Sequence, residues 1–452
     1  MRRIWPLLAA YLLLTPSTAF AYLDPGSGSM LLYFIMGVFA TLIYYFKGAV
    51  YAVRAFFSGG KVDKSLRDLS GIDILFYSEG GQYWNVYQPV IAALDKQGIK
   101  SAYYTSDASD PGLHSGYKHL KAAYIGDDLA AFTLLNNIRV RLFITTTPQL
   151  DVMQLKRSKG VQTYIHLIHA PTDVLIYKYF AFDFFDAVMC SGQHQIDGIR
   201  ALEQAKNLPA KKLYETGLTY FDVLHRKKEQ LRLQTESRAE QPLQSANPVT
   251  AHHGSNAVGI ATGEATGKTI LVAPTWYDGN LLEKYGSSLL LQLAQLGYEV
   301  ILRPHPQTWV SKPELMESIC TAIETQPNVR LDRNPSGEQS MAQADLLISD
   351  LSGIIFDFYF VFEKPVVVME SDISTDGKEA DFVEKEVWEI ANLDKIATIM
   401  RLQDLPRIEE LVKEAIEKTQ KQDIQDFRAA SVFHYPHAGK TAANQIAELL
   451  EA

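Results

Sequence analysis

A histidine follows the predicted strand Gln162–Ile168, at the start of the segment His169-Ala170-Pro171-Thr172-Asp173. In open parallel α/β sheets, ligands bind beyond the carboxyl ends of the strands, so a side chain at this position can reach a substrate. An imidazole is the commonest general base in enzymes because its pKa lies near neutrality. His169 is therefore a candidate base, and a hydrogen-bonded structural histidine is the alternative. His166, three residues earlier, falls on the opposite face of the strand, which argues against a metal site made by the two histidines.

A second histidine lies between two prolines, in the segment Arg303-Pro304-His305-Pro306 after the predicted strand Glu299–Leu302. The prolines fix the backbone around His305, and Arg303 supplies a permanent positive charge. This combination suits an anionic ligand such as a diphosphate. A rigid loop that carries a surface histidine is the alternative.

The predicted strand Asp345–Ser349 leads into small and hydroxyl residues, Asp350-Leu351-Ser352-Gly353, and a helix is predicted to begin near Ser352. The N-terminus of a helix binds phosphate through its free N–H groups and its dipole. Gly353 lets an anion approach the backbone. This segment is therefore a candidate phosphate site, unless it is an ordinary helix cap.

The segment Ala273-Pro274-Thr275-Trp276 ends another predicted strand. Trp276 or Tyr277 is placed to stack on a nucleotide base or to line a cleft between domains, and packing at a hinge explains both residues equally well. The sequence has no acidic cluster with the spacing of metal ligands, so neither a metal nor another cofactor is expected.

These segments need parallel strands to position them, and the chain from Gly71 onward has the appropriate pattern. Short apolar runs alternate with segments of helical period, which is typical of parallel sheets with crossover helices. Two halves, residues 71–225 and 269–452, are predicted to face each other across a cleft. Between them, residues 226–268 are rich in Gln, Ser, Ala and Gly and are predicted to form a flexible polar insert. The remaining predicted strands are Ile72–Tyr77, Ser101–Thr105, Ala122–Ile125, Arg141–Thr145, Ala187–Cys190, Thr269–Ala273, Val329–Leu331 and Val366–Met369, and helices are predicted over Ser287–Leu296, Pro406–Lys421 and Lys440–Leu450.

Composition excludes several classes of protein. The 452 residues suffice for two or three domains. A net charge of −9, from 43 Lys and Arg against 52 Asp and Glu, argues against nucleic-acid binding. The two cysteines, Cys190 and Cys320, exclude a disulfide-built fold and a multi-cysteine zinc module. An apolar content of 47% excludes general disorder.

The N-terminus carries two apolar segments. Residues 1–21 have a basic start, an apolar run and an Ala-x-Ala end, which predicts a signal peptide or a first membrane segment. Residues 29–46 contain no charged side chain and predict a transmembrane helix. Lys47, Arg54 and Lys61 follow it, so the positive-inside rule places the rest of the chain in the cytoplasm.

Three segments, taken in order, resemble the CDP-glycerol glycerophosphotransferase family, whose best-known members are bacterial teichoic acid primases and polymerases. The segments are Leu271–Trp276, Leu302–Pro306 and Ile348–Asp357. The resemblance is most specific over residues 270–369 and extends loosely back to Gly71. The chain departs from the family pattern at three places. A basic residue commonly follows the Thr-Trp pair of the family, and this chain has Tyr277 there. The family usually has His-Gly-Thr-Pro where this chain has His169-Ala170-Pro171-Thr172, and it commonly has a second serine where Gly353 stands.

The resemblance implies a GT-B-like α/β fold, with two Rossmann-like domains facing a cleft and the nucleotide mainly on the C-terminal domain. It implies transfer of phosphoglycerol from CDP-glycerol to an acceptor hydroxyl, with release of CMP. His169 and His305 match the two important histidines of the family and are the catalytic candidates. The candidate donor- and phosphate-binding residues are Thr275, Arg303, Ser349, Asp350, Ser352, Gly353 and Asp357.

The protein expected from these features is a membrane-anchored transferase of cell-surface polymer synthesis. It would sit in the bacterial cytoplasmic membrane by a single pass, with its catalytic domains in the cytoplasm. Its partners would be a CDP-alcohol donor, a lipid-linked or membrane-proximal acceptor and the bilayer. Two alternatives stay open: a GT-B glycosyltransferase that uses a nucleotide sugar, and a catalytically silent, membrane-tethered subunit that binds a nucleotide.

Overall fold

The computed structural model describes Leu66 and residues 68–126, 128–239, 267–334, 336–370 and 375–451. All of them belong to one compact unit, Val62–Ala452. The predicted signal peptide, the predicted transmembrane helix over residues 29–46 and residues 240–266 of the predicted insert lie outside the described residues. Within the described part, no helix is both long enough and apolar enough to cross a bilayer.

The first half of this unit is built on a seven-stranded, wholly parallel sheet with the order β3-β2-β1-β4-β5-β6-β7. Its central strands are continuous runs of buried residues, as expected for a sheet covered by helices on both faces. The strands are β1 Ile74–Ser78, β2 Ser101–Thr105, β3 Leu120–Tyr124, β4 Arg139–Thr145, β5 Gly160–Leu167, β6 Ala187–Cys190 and β7 Lys212–Glu215. The helices are α1 Trp84–Lys96, α2 Asp128–Leu135, α3 Gln193–Lys206 and α4 Thr219–Ala239.

The second half is built on a six-stranded parallel sheet with the order β10-β9-β8-β11-β12-β13. Its strands are β8 Thr269–Val272, β9 Glu299–Leu302, β10 Val329–Leu331, β11 Leu346–Ser349, β12 Val366–Met369 and β13 Thr398–Met400. The helices are α5 Leu281–Tyr285, α6 Ser288–Gln295, α7 Pro306–Ser311, α8 Pro313–Ile323, α9 Glu338–Gln343, α10 Gly353–Phe356, α11 Trp388–Ala391, α12 Leu393–Ile396, α13 Ile408–Lys418, α14 Lys421–Ser431 and α15 Ala438–Glu451, and a π-helical turn over Asp357–Phe362 continues α10.

The predicted α/β class with two parallel sheets is confirmed, and every predicted strand is present within two residues of its predicted ends. Strands β7 and β13 were not predicted. The residues of β7 are partly exposed and mixed in polarity, and β13 has only three residues, so neither gives a periodic apolar signal.

The predicted start of the polar insert at residue 226 is wrong, because helix α4 continues to Ala239. Its basic side chains bind the second half: Lys227 pairs with Glu338, and Lys228 Nζ donates to the carbonyl of Val361 at 2.9 Å. At its start, Thr219 Oγ1 donates to the carbonyl of Val86 in α1. A polar helix that bridges two halves has little apolar periodicity, so its sequence resembles that of a linker.

The last helix does not belong to the second half, where it was predicted. Ala442, Ala443 and Ile446 of α15 are buried in the core of the first sheet, with Ile74 and Tyr87 among their neighbours. The start of α15 is held by Asp222 of α4, whose carboxylate accepts from the N–H groups of Ala438 and Gly439. The C-terminus therefore returns to the first half and completes its core.

Candidate functional site

The three segments that follow β8, β9 and β11 lie side by side, because these strands are neighbours at the centre of the second sheet. Their side chains meet at the carboxyl edge. The Ser349 hydroxyl donates to the carbonyl of Ala273 at 2.7 Å and lies 3.2 Å from the Ser352 hydroxyl. The ring centroids of Trp276 and His305 are 6.3 Å apart. The sheet therefore gathers these sequence-predicted donor residues at one edge.

The helix that begins after Ser352 has an open N-terminus. Ser352 takes the extended backbone of an N-cap residue, but its side chain makes no capping hydrogen bond. A Cβ at Gly353 would meet no atom within 4 Å. An anion can therefore approach this turn of backbone without displacing a side chain.

His305 is fixed in orientation by the helix it precedes. Its Nδ1 accepts from the N–H of Gln307 at 3.1 Å and so caps α7, with Pro306 at the first helical position. Because Nδ1 accepts, the neutral ring carries its proton on Nε2 and can donate from that atom. Partial burial lowers the pKa of His305, which favours this neutral form. Trp276 stacks on the exposed Tyr277, with centroids 4.8 Å apart.

Asp350 is engaged by the backbone. Its two carboxylate oxygens accept from the N–H of Thr275 at 2.6 Å and from the N–H of Leu281 at 2.9 Å. The side chain is buried. Asp350 thus ties the loop after β8 to the end of β11, and a direct contact with an anionic donor would place like charges together.

Arg303 forms an ion pair rather than standing alone. Its Nη1 donates to Asp332 and to the carbonyl of Asn334, both at 2.8 Å. Asp332 also accepts from the Ser340 hydroxyl at 2.6 Å, so the pair organises the loop between β10 and α9.

Asp357 lies one turn beyond Gly353 and contacts the first half. It accepts from the Tyr220 hydroxyl of α4 at 2.7 Å. Burial raises the pKa of Asp357 to about 7, and nearby Glu338 adds to the rise. Its side chain therefore joins helix α4 to the candidate phosphate segment.

His169 lies just beyond the carboxyl end of β5 in the first sheet. Its Nδ1 is buried and has no hydrogen-bond partner within the described part of the chain. Its ring makes a T-shaped contact with the ring of Tyr83, with centroids 5.2 Å apart. Burial lowers the pKa of His169 to about 4, so the imidazole is neutral and able to accept a proton at physiological pH. His166 is enclosed by Phe182 and Phe185, and burial lowers its pKa to about 3.

The structure adds Tyr83, whose ring packs against His169, and it places Glu79 and Thr147 at the same edge of the first sheet. Glu79 and Tyr83 follow β1, and Thr147 follows β4, which lies between β1 and β5. Burial raises the pKa of Glu79, an effect that the nearby Thr147 side chain opposes. Burial and the charge of Glu79 raise the pKa of Tyr83. The rule that ligands bind beyond strand ends applies to these positions as well, but their residue types alone did not single them out.

No group of three or more His, Cys, Asp and Glu side chains in the described residues is arranged to hold a metal ion.

Two parallel sheets with polar segments gathered at their carboxyl edges are typical of α/β proteins that bind a ligand beyond the strand ends. A family model described as CDP-Glycerol:Poly(glycerophosphate) glycerophosphotransferase matches residues 199–449, which is more than half of the chain. The chain belongs to this family, and the resemblance drawn from its three motifs is confirmed. It is accordingly a phosphotransferase of the CDP-glycerol glycerophosphotransferase type.

Solved structures share the fold at low sequence identity. The wall teichoic acid polymerase TagF is 15% identical, with a TM-score of 0.52 over 91% of this chain and 99% of that chain. The UDP-GlcNAc 2-epimerase of Neisseria meningitidis bound to UDP-GlcNAc is 14% identical, with a TM-score of 0.51 over 84% of this chain and 99% of that chain. A comparison with curated proteins gives no significant match. The structural likeness supports a GT-B-like arrangement.

The role assigned to Asp350 leads to a prediction about stability. In Asp350→Asn, the amide NH2 faces one of the two backbone N–H donors, which leaves a buried donor without an acceptor. We expect a loss of about 1–3 kcal/mol in the free energy of unfolding, measured by urea denaturation. Asp278→Asn, at a fully exposed carboxylate of the same loop, is the control and should leave stability nearly unchanged. Unchanged stability together with altered nucleotide affinity would instead place Asp350 in contact with the donor.

Proposed function

We propose that this enzyme transfers glycerol phosphate, or a related alcohol phosphate, from a CDP-alcohol such as CDP-glycerol to an acceptor hydroxyl and releases CMP. The reaction would build or modify a cell-surface polymer of the teichoic acid type. One observation carries the proposal: in a member of this family, the motif residues Trp276, His305, Ser349 and Ser352 gather at one edge of the second sheet. A TagF variant solved after a soak with CDPG shares the fold, which supports the choice of donor.

The second half is proposed to hold the donor. The backbone at Ser352 and Gly353 would receive the diphosphate, and the neutral His305 would donate a hydrogen bond to it from Nε2. Arg303 would add positive charge to the same edge while it keeps its ion pair with Asp332. These groups would stabilise the charge that develops on the phosphoryl oxygens during transfer.

The remaining donor candidates have supporting roles in this proposal. Thr275 is held by Asp350, and Asp357 is held by Tyr220, so both acids would shape the site instead of binding phosphate. The stacked pair Trp276 and Tyr277 would offer an aromatic face to the cytosine ring.

The first half is proposed to hold the acceptor. An acceptor hydroxyl would bind beside His169, with Glu79, Tyr83 and Thr147 as further polar neighbours. The hydroxyl oxygen would form a bond to the phosphorus that bears glycerol while the bond from that phosphorus to the CMP oxygen breaks. His169 would take the hydroxyl proton, and CMP would leave with the electron pair of the broken bond.

Donor binding is tested without knowledge of the acceptor. CDP-glycerol, CDP-ribitol, CMP, UDP-sugars and GDP-sugars are each added to the full-length chain, and thermal unfolding is followed. A ligand at about 100 times its Kd should stabilise the protein by roughly 2.7 kcal/mol. We expect the CDP-alcohols to stabilise the wild-type protein and to stabilise His305→Ala less. The control is His114→Ala, which alters an exposed histidine of the first half and should be stabilised as much as the wild type. Stabilisation by UDP- or GDP-sugars alone would contradict the proposal and favour a glycosyltransferase.

The role of His169 predicts an unusual pH profile. Only the neutral imidazole can accept the proton, and burial holds its pKa at about 4 in the free enzyme. As the pH is lowered, kcat/KM for the donor should therefore stay level through 6.5, the ordinary histidine value, and fall only toward 4. His169→Ala should lower kcat by about 10²–10⁴ while CDP-glycerol still stabilises the protein. Near-normal turnover in this variant, or an acid limb at 6.5, would refute the assignment.

We further propose that residues 29–46 anchor the enzyme in the bacterial cytoplasmic membrane, with its catalytic halves on the cytoplasmic side. The uncharged run of residues 29–46 and the basic residues Lys47, Arg54 and Lys61 support this placement. The acceptor would then be lipid-linked or close to the membrane. Full-length protein should stay in the membrane pellet after alkaline carbonate extraction, whereas protein that lacks residues 1–61 should be released. Release of both forms would argue against the anchor.

A further inference from the structure

The loop that carries His169 is held mainly by side chains. The carbonyls of Ala170 and Thr172 accept from the side-chain amide of Gln195 at 2.9 and 2.8 Å. The carbonyl between them, of Pro171, lies 2.8 Å from Nε2 of His194. Gln195 itself is oriented by the N–H of Ser191, which donates to its Oε1 at 2.7 Å. Two adjacent residues at the start of α3 thus fix three consecutive carbonyls directly after His169.

The far end of the same loop is bound by the second half. The N–H of Asp173 donates to Glu389 Oε2 at 2.9 Å, and the N–H of Trp388 donates to Asp173 Oδ2 at 3.0 Å. The other oxygen of Asp173 accepts from the N–H of Leu175 at 3.2 Å. Asp173 and Glu389 are both buried. We call the reciprocal contact of Asp173, Trp388 and Glu389 the clasp.

Packing around the clasp leaves little freedom. The indole of Trp388 stacks on the His194 ring, with centroids 4.4 Å apart and planes 19° apart. A Cβ at Gly198 would lie only 3.0 Å from Asp173 Oδ1, so α3 approaches the carboxylate closely. His194 therefore contacts the loop through Nε2 and the second half through its ring face.

Glu389 lies on a segment of the second half, which connects the clasp to the proposed donor site. Helix α11, which carries Trp388 and Glu389, belongs to the connection between β12 and β13 of the second sheet. The donor candidates Ser349 and Ser352 lie at the end of the adjacent strand β11. The segment that restrains the loop of the candidate base is therefore part of the half that is proposed to hold the donor.

We propose that Glu389 is a positioning residue, which sets His169 in line with the donor phosphate by binding the backbone of Asp173 across the two halves. The inference rests on the proposed function, because it assigns the geometry of that reaction. A misplacement of about 1 Å between reacting groups can cost about 10²-fold in rate, so a single buried contact at this point has a large effect on turnover.

The clasp predicts a specific order among variants. Burial raises the pKa of Glu389 to about 7, so the neutral Glu389→Gln is a close substitute and keeps an oxygen to accept from Asp173. Glu389→Ala removes that oxygen. Asp173→Asn places an NH2 group against the N–H of Trp388 or Leu175, since both of its oxygens act as acceptors. Glu389→Gln should therefore be tolerated, whereas Glu389→Ala and Asp173→Asn should not.

The matched control is Glu379, a second buried acid of the second half that binds the first half. Its Oε1 accepts from the N–H of Ala181 at 2.9 Å, and it pairs with Lys206. Glu379→Ala breaks a contact between the halves and an ion pair with Lys206, and it leaves the hydrogen bonds of the His169 loop in place.

The experiment measures CMP release from CDP-glycerol by the full-length chain with detergent-extracted bacterial membranes as the acceptor source, and measures donor Kd by calorimetry. In Glu389→Ala, kcat should fall roughly ten- to hundredfold with an unchanged donor Kd, while Glu389→Gln and Glu379→Ala stay near wild type. An equal loss of kcat in Glu379→Ala, or a normal kcat in Glu389→Ala, would overturn the proposal.

A second measurement does not depend on the reaction. Diethyl pyrocarbonate modifies accessible neutral imidazoles, and peptide mass spectrometry reports the rate at His169. His169 should react faster with diethyl pyrocarbonate in Glu389→Ala than in the wild-type protein or in Glu379→Ala. Equal rates would overturn the proposal that Glu389 positions His169. If wild-type protein neither binds nor consumes CDP-glycerol, the proposed function fails, and the modification rates alone decide whether Glu389 positions His169.

Discussion

All strands in each sheet run in the same direction, and the rest of the structure depends on this constraint. Parallel strands place the segments that follow them at one edge, whatever their separation in sequence. Ala273, His305 and Ser349 lie at the ends of neighbouring strands, although 76 positions separate Ala273 from Ser349. The strands of the first sheet are also parallel, so Glu79, Thr147 and His169 lie at one edge of that sheet. Two edges built in this way provide one surface for a donor and another for an acceptor.

Buried aspartates hold these edges in shape by a recurring arrangement. Asp350, Asp173 and Asp222 each accept from two backbone N–H groups. Each joins segments that are distant in sequence, and Asp173 joins the two halves through its contact with Trp388. A carboxylate suits this task because it offers two acceptor oxygens on a short, stiff side chain. Acidic residues near an anion site can therefore act on the backbone without touching the anion.

Local sequence patterns predicted the strands and the residues that follow them, because a buried parallel strand is a short apolar run and its chemistry lies just beyond it. They did not predict what binds those residues. The partners of Asp357 and Asp173 are Tyr220 and Glu389, which lie 137 and 216 positions away, and no periodicity encodes such contacts. The polar residues of α4 after Arg226 have the sequence of a linker, because ion pairs and hydrogen bonds hold them to the other half. Glu79 and Thr147 were missed because common residue types acquire a role only from the sheet order.

The return of α15 to the first sheet has a consequence for the order of folding. The core around Ile74 and Tyr87 includes Ala442, Ala443 and Ile446 of α15, which follows every other described helix and strand in sequence. During synthesis, domains usually fold in turn from the N-terminus. Here the first sheet cannot bury the face of α1 that α15 covers until α15 has been synthesised and has left the ribosome. A translation product that stops before α15 would therefore expose that apolar face even with all seven strands of the first sheet present. Chaperones and proteases recognise such exposed apolar surface.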